Sequence, residues 1–163
     1  MRELAHPYPI DNVYILGIDG LSIRAIGDDG LVMRLVPNKK MLNPSGVLHG
    51  GVHFTLADTA TGVHSFYLGK RSLTLASSIE YLAGTTLAPL DAVVTLTRSG
   101  RRHLFYTVKL MQADTLVATA SFTYAVMADI TAEETPRLHA MREELRARET
   151  KETKEKNKKD ARL

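Results

Sequence analysis

Residues 51–67, GVHFTLADTATGVHSFY, decide how this chain folds. Set at roughly 100° per residue, Val52, Leu56, Thr59, Ala60, Val63, Phe66 and Tyr67 gather in a stripe about 120° wide. The spacing predicts an amphipathic helix of about four to five turns, stopped by Gly69. Asp58 stands roughly 140° from the centre of that stripe, beside Phe54, Thr61 and Ser65. An acid there can be an ordinary member of a solvated face. Yet this face carries Thr55, Thr61, Gly62, Ser65 and an aromatic ring rather than Lys and Glu, and Asp58 is the only formal charge from Gly51 to Leu68. Such a face reads as covered, most simply by a second copy of the protein.

Outside the helix the hydrophobic period falls to two. Upstream, residues 21–37, LSIRAIGDDGLVMRLVP, read as a hairpin turning at Asp28-Asp29-Gly30, where the glycine can take a positive φ. Residues 7–18 read as a short helix or turn. Downstream come four runs of strand character at residues 71–84, 90–99, 101–112 and 116–127, separated by Gly84, Pro89, Ser99-Gly100 and Ala113-Asp114. Two strands, one long helix and four strands predict an α+β fold. About six antiparallel strands would curve around the central helix and bury its apolar side. A flat α+β sandwich is the runner-up.

Residues 1–130 are expected to form this domain, and residues 131–163 a charged C-terminal helix and disordered tail. Leu138, Met141 and Leu145 support an amphipathic helix over about 133–148, and the run from Glu149 to Lys159 reads as frayed or solvated.

The chain has 163 residues and 44% of them are apolar, enough for a packed core without a metal or disulfide staple. It has no cysteine, which excludes a thiolate nucleophile and Cys-ligated zinc. The net charge of +3 is spread evenly: eleven Lys/Arg face ten Asp/Glu before residue 131, and ten face eight after it. No basic stripe suited to nucleic acid results. No stretch reads as a signal peptide or membrane span, so a cytoplasmic protein that binds neither membrane nor nucleic acid is expected.

The junction before the helix, residues 43–51 (NPSGVLHGG), supplies polar candidates. Gly50 and Gly51 open the helix, where the first backbone N–H groups lack partners and the dipole is positive. They can form an oxyanion hole, or simply allow a sharp turn. His49 can hold the loop through its ring or touch a substrate. Asn43 can cap the turn or orient a carbonyl or water. His49 and His53 stand four apart, but no third ligand completes a metal site. No phosphate loop or nucleophile elbow is present.

The pattern Asn43…Gly46…His49-Gly50-Gly51…Asp58 resembles the hotdog-fold acyl-CoA thioesterases, most closely the PaaI-type (phenylacetic acid degradation) branch of the 4-hydroxybenzoyl-CoA thioesterase superfamily. The resemblance covers roughly residues 10–128. It implies a homodimer with two sites across its interface, commonly assembled into a homotetramer, and no cofactor beyond the CoA of the substrate. Asp58 would match the carboxylate that acts as nucleophile or as base for water. The Gly50 amide would polarise the thioester carbonyl, with Asn43 and His49 positioning the carbonyl and the loop. Thr74, seven residues before Tyr81, would match a hydroxyl beside the attacking water. Gly51, Phe54 and Tyr81 would border the substrate. Arg98, Arg101 and Arg102 resemble a basic hairpin near the CoA phosphates, or form a solvated tip.

The expected activity is therefore hydrolysis of an acyl- or aryl-CoA thioester to free acid and CoA. The alternative is a non-catalytic hotdog dimer that binds acyl-CoA or a protein partner. A hotdog dehydratase finds no matching arrangement of His and acid.

Overall fold

The computed structural model describes residues 20–136 and, beyond them, 138–140, 142, 143 and 147. The turn or helix expected over residues 7–18 lies outside the described residues, as do Met141 and Leu145. The described chain runs β1 (Leu21–Gly27), β2 (Gly30–Leu35), α1 (Gly50–Tyr67), β3 (Lys70–Tyr81), β4 (Leu90–Ser99), β5 (His103–Gln112) and β6 (Thr115–Asp129). All neighbours pair antiparallel in one six-stranded sheet of order β1-β2-β4-β5-β6-β3.

The sheet has one wet and one dry face. Along β5, Leu104, Tyr106, Val108 and Leu110 are buried while Phe105, Thr107 and Lys109 are exposed, the alternation of a sheet packed on one side only. The dry face packs on α1, whose Leu56, Ala57, Ala60 and Val63 meet Met33, Leu35, Ala92 and Phe122 in a single core. Each fully buried leucine of that core contributes roughly 1.5–3 kcal/mol.

The helix is buried on more sides than its apolar stripe requires. Thr61 and Ser65, on the face expected to meet a second copy, are no more than 1% exposed, and His64 beside the apolar stripe is fully buried. The cover comes from the same chain: Tyr124 of β6 reaches Thr61, and Ser72 of β3 reaches Ser65. Phe54 packs its ring 5.6 Å from that of Phe122. A helix about 10–12 Å across that touches β2, β3, β4, β5 and β6 must be wrapped by its sheet. The hotdog arrangement holds, and the flat sandwich does not.

The hairpin also differs in one detail. Gly30 does not take a positive φ; Asp28 and Asp29 make the turn. The glycine is needed for close approach instead, since a Cβ at Gly30 would overlap the Val94 carbonyl oxygen on β4. At the other end of the helix Gly69 does adopt φ +78° and ends α1.

After β6 the chain returns to that end of the helix. Glu134 reaches back to Thr131 as in one half of a capping box, its carboxylate accepting from the Thr131 backbone N–H at 3.0 Å and from the Thr131 hydroxyl at 2.9 Å. Arg71 pairs with Glu134 at 2.8 Å, Leu138 is buried beside Gly69, and Arg142 donates to the Tyr67 carbonyl at 2.6 Å. A cation at the C-terminus of α1 also suits the helix dipole. Among the described residues, no helix is long and apolar enough to cross a membrane.

Candidate active site

The middle of α1 holds the first group of polar side chains. Asp58 is half-buried, and Thr74 of β3 donates a hydrogen bond to its Oδ1 at 2.8 Å. The Tyr124 hydroxyl donates to the same Oδ1 at 2.8 Å and lies 2.9 Å from the Asp58 carbonyl oxygen. Behind it, Thr61 Oγ1 is 2.8 Å from the Tyr124 hydroxyl. Burial pushes the Tyr124 phenol well above its ordinary value, more than its hydrogen bonds with Thr61 and Thr74 lower it. The phenol therefore stays protonated and remains a donor.

Strand register explains the meeting. Along β6, Ala120, Phe122 and Tyr124 alternate onto the dry face, and Tyr124 pairs with Thr74 across the ladder. Paired residues share a face, so both hydroxyls point at α1. Tyr81, seven residues after Thr74, also reaches the helix. Strict alternation puts residues an odd number apart on opposite faces. A bulge between Thr74 and Ala76 removes the conflict: Leu75 is the extra residue, and Thr74 and Tyr81 both turn inward.

The second group surrounds the start of α1. His49 is the N-cap, and its Nδ1 accepts from the Gly51 N–H at 3.0 Å. Of the two glycine amides expected to face a carbonyl, the structure thus engages one, at Gly51, in capping. Among the described residues no acceptor meets the Gly50 amide. The Gly50 carbonyl accepts from the Tyr81 hydroxyl at 2.9 Å. Beneath Tyr81, His53 is 3% exposed, with Nδ1 3.2 Å from the His49 carbonyl and Nε2 2.9 Å from Thr85 Oγ1. Burial pushes the His53 ring below the usual imidazole range, so it sits neutral. Both of its ring nitrogens are engaged, leaving none for a metal shared with His49. A cleft of about 450 Å³ opens here, lined by Val47, Gly50, His53, Tyr81, Leu82 and Thr85 among others.

Asn43 orders the loop that delivers His49. Its Oδ1 accepts from the backbone N–H groups of Ser45 at 2.9 Å and Val47 at 3.3 Å. This is the turn-capping role of the two open to it. Arg98, Arg101 and Arg102 are exposed around the β4–β5 turn. The Arg102 carbonyl accepts from the Val126 N–H, two residues beyond Tyr124, so the basic turn lies at the Asp58 end of the sheet.

The two groups do not meet within one chain. Gly50 and Asp58 are eight residues apart on α1, about 12 Å along the axis, too far for both to touch one carbonyl. Tyr124 is the residue the sequence reading missed. The signal was present: the alternation in residues 118–126, ATASFTYAV, places a phenol among core side chains, where its hydroxyl needs a partner.

A profile of the thioesterase superfamily matches residues 45–119, which include both groups except Asn43 and Tyr124. No curated protein matches the chain significantly. Among solved structures, a hypothetical thioesterase from Streptococcus pneumoniae in complex with coenzyme A is similar, with 29% identity and TM-score 0.67 over 69% of this chain and 93% of that one. The pneumococcal protein has also been solved with an aspartate and, separately, a threonine replaced by alanine, at positions sixteen residues apart. A conserved protein of Pseudomonas aeruginosa shares 31% identity, with TM-score 0.63 over 66% of this chain and 89% of that one. The PaaI protein of the E. coli phenylacetic acid degradation operon matches in fold, at 24% identity and TM-score 0.65 over 69% of this chain and 83% of that one.

Proposed function

The chain belongs to the thioesterase superfamily, and on that premise we propose that it hydrolyses an acyl- or aryl-CoA thioester to the free acid and coenzyme A. The observation that carries the reading is the Asp58 carboxylate, held on Oδ1 by two hydroxyls while Oδ2 has no hydrogen-bond partner among the described residues. Pure binding has no need of a carboxylate fixed in this way. The Asp58–Thr74 separation equals that of the two residues replaced in the pneumococcal thioesterase. Coenzyme A bound to that protein supports the leaving group, and Arg98, Arg101 and Arg102 offer cations to its phosphates.

The chemistry follows from the two groups. An amide at the first turn of a helix, with no acceptor and the positive end of the dipole behind it, polarises the thioester carbonyl and takes up its developing charge. That amide is Gly50. Asp58 Oδ2 then either removes a proton from water, whose oxygen adds to the carbonyl carbon, or adds to that carbon itself. In the first route the C–S bond breaks as the proton passes to the thiolate sulfur. In the second, the tetrahedral adduct collapses with cleavage of the C–S bond and release of CoA thiolate. Water then cleaves the resulting anhydride to the free acid and the Asp58 carboxylate, and the proton it yields is taken up by the thiolate. Thr74, on Oδ1, stands where it can also contact the attacking water.

Because Gly50 and Asp58 cannot reach one carbonyl from a single chain, the site is completed by a second copy. The β3 edge is suited to this: twelve residues long and paired on one side only, with Leu73 62% and Leu75 60% exposed. Antiparallel self-pairing about a two-fold near Ser77 and Ser78 lays Thr74 of one copy beside Tyr81 of the other. The Asp58 group of each then faces the Gly50 group of its partner.

Thiol release from a panel of short, long and aromatic acyl-CoAs tests the reading, in wild type and in Asp58→Asn. Loss of the base or nucleophile should lower the rate at least ~10²-fold. Equal rates in the two proteins sink hydrolysis and leave acyl-CoA or partner binding without catalysis.

A further inference from the structure

We infer that Tyr124 is a positioning residue for Asp58, the last donor of a hydrogen-bonded chain from Thr61 that fixes which carboxylate oxygen reacts. The inference rests on the reading of Asp58 just given, but its geometry is independent of the substrate.

Proton bookkeeping sets the direction of the chain. Tyr124 has one hydroxyl proton and three oxygens within reach: Asp58 Oδ1 at 2.8 Å, the Asp58 carbonyl at 2.9 Å and Thr61 Oγ1 at 2.8 Å. The carboxylate is the charged acceptor, and charge-assisted bonds are the strongest of the three. The tyrosine proton therefore goes to Oδ1. The short contact with Thr61 is then satisfied when Thr61 turns its own proton to the phenol oxygen, in preference to its other acceptors, the Asp58 carbonyl at 2.9 Å and the Ala57 carbonyl at 3.1 Å. Donation into that oxygen makes its own proton a better donor, so the two bonds reinforce each other.

Thr74 donates to the same Oδ1 from the other side of the ladder. Two donors on one oxygen hold the carboxylate against rotation about its last bond. They leave Oδ2 as the atom presented to water or thioester. Tyr124 is 3% exposed and Thr61 fully buried, so solvent cannot replace the chain. Burial also keeps the phenol protonated, which preserves it as a donor. Rings of Phe122 and Tyr106 pack beside Tyr124 at centroid distances of 6.4 and 5.8 Å and restrict its swing.

The test is Tyr124→Phe, which keeps the ring and removes only the hydroxyl. Thiol release should fall about tenfold to a hundredfold in kcat, with KM within about twofold. Combined with Thr74→Ala, the loss should be smaller than the product of the single losses, because either change alone frees the carboxylate. A residue that only stabilises the fold would not divide kcat from KM or couple to Thr74. Thr61→Val, which breaks the chain one step earlier, should give a smaller loss of the same kind and serves if the phenylalanine variant is unstable. Crystal structures of wild type and Tyr124→Phe provide the readout that does not depend on activity. Asp58 should occupy one orientation in the first and a rotated or divided one in the second. An active wild type with an equally active phenylalanine variant overturns the inference and leaves hydrolysis standing. A wild type inactive on every thioester overturns hydrolysis, and the Asp58 orientation in the two crystals then decides the inference alone.

Discussion

The two ends of the site are built from different materials. At the start of α1 the functional atom is a backbone N–H, and the side chains around it hold the loop: His49 caps the helix, Asn43 closes the turn and Tyr81 grips the Gly50 carbonyl. At the middle of α1 the functional atom belongs to a side chain, and other side chains orient it. A backbone donor is present whatever the residue, so the first end is vulnerable mainly to added bulk. A carboxylate held by hydroxyls is vulnerable to loss of single polar atoms. The difference predicts which substitutions hurt at each end.

The largest effect comes from separating the ends. Asp58→Asn and Gly50→Val should each be nearly inactive alone. Mixed and reassembled as random dimers, they should recover about a quarter of wild-type activity, since half the dimers are mixed and each of those holds one intact site. No recovery from a mixture shown to contain mixed dimers breaks the picture of a site shared between copies.

A smaller loss is expected for Gly50→Ala. The new Cβ would lie 3.0 Å from Cζ and Oη of Tyr81, so the ring must move and release its bond to the Gly50 carbonyl. We expect about a tenfold fall in kcat, as for the partial displacement of an oxyanion donor. Steady-state kinetics check it, and unchanged kcat would move the donor away from Gly50.

Acid separates the ends by stability. Burial pushes His53 below the ordinary imidazole value of about 6.5, outweighing the pull of the His49 carbonyl. His64 behaves likewise, its burial outweighing the Gly27 carbonyl and the nearby Asp28 and Asp29. Each ring binds a proton more weakly folded than unfolded. Stability is therefore unaffected above about pH 6.5 and falls as the pH drops below it. His53 lies under Tyr81, so His53→Gln should flatten part of the decline in melting temperature between about pH 6.5 and 5. A decline of unchanged slope in that variant removes His53 from the account.

The smallest effect belongs to the segment after β6. Glu134 is held down to about 2 by the Thr131 N–H, Arg71 and the Thr131 hydroxyl. Its contribution is present above the ordinary carboxylate value of 4.5 and is lost as the pH falls from there to about 2. Because Glu134 is only partly buried and its ion pair lies at the surface, Glu134→Gln should shift the melting temperature at neutral pH by only about 2 °C or less. Thiol release should not change; a clear change would tie the segment to the Asp58 end.

The sequence by itself determined the elements. The 3.6-residue period of residues 51–67 and the alternation of the strands arise from local geometry, and they specify a helix and six strands before any contact forms. It also marked Asp58 as unusual, because a lone acid on an uncharged face has no surface purpose. Three matters were left to tertiary structure, each because it depends on atoms distant in the chain. Gly30 serves the approach of Val94 from β4 rather than its own turn. The uncharged side of α1 is covered by β3 and β6 of the same chain, which only the strand order β5-β6-β3 could decide. Thr74, Tyr81 and Tyr124 face one helix because a single extra residue, Leu75, reverses the alternation along β3. A bulge has no signature in a run of strand-forming residues; it is set by the ladder it must fit.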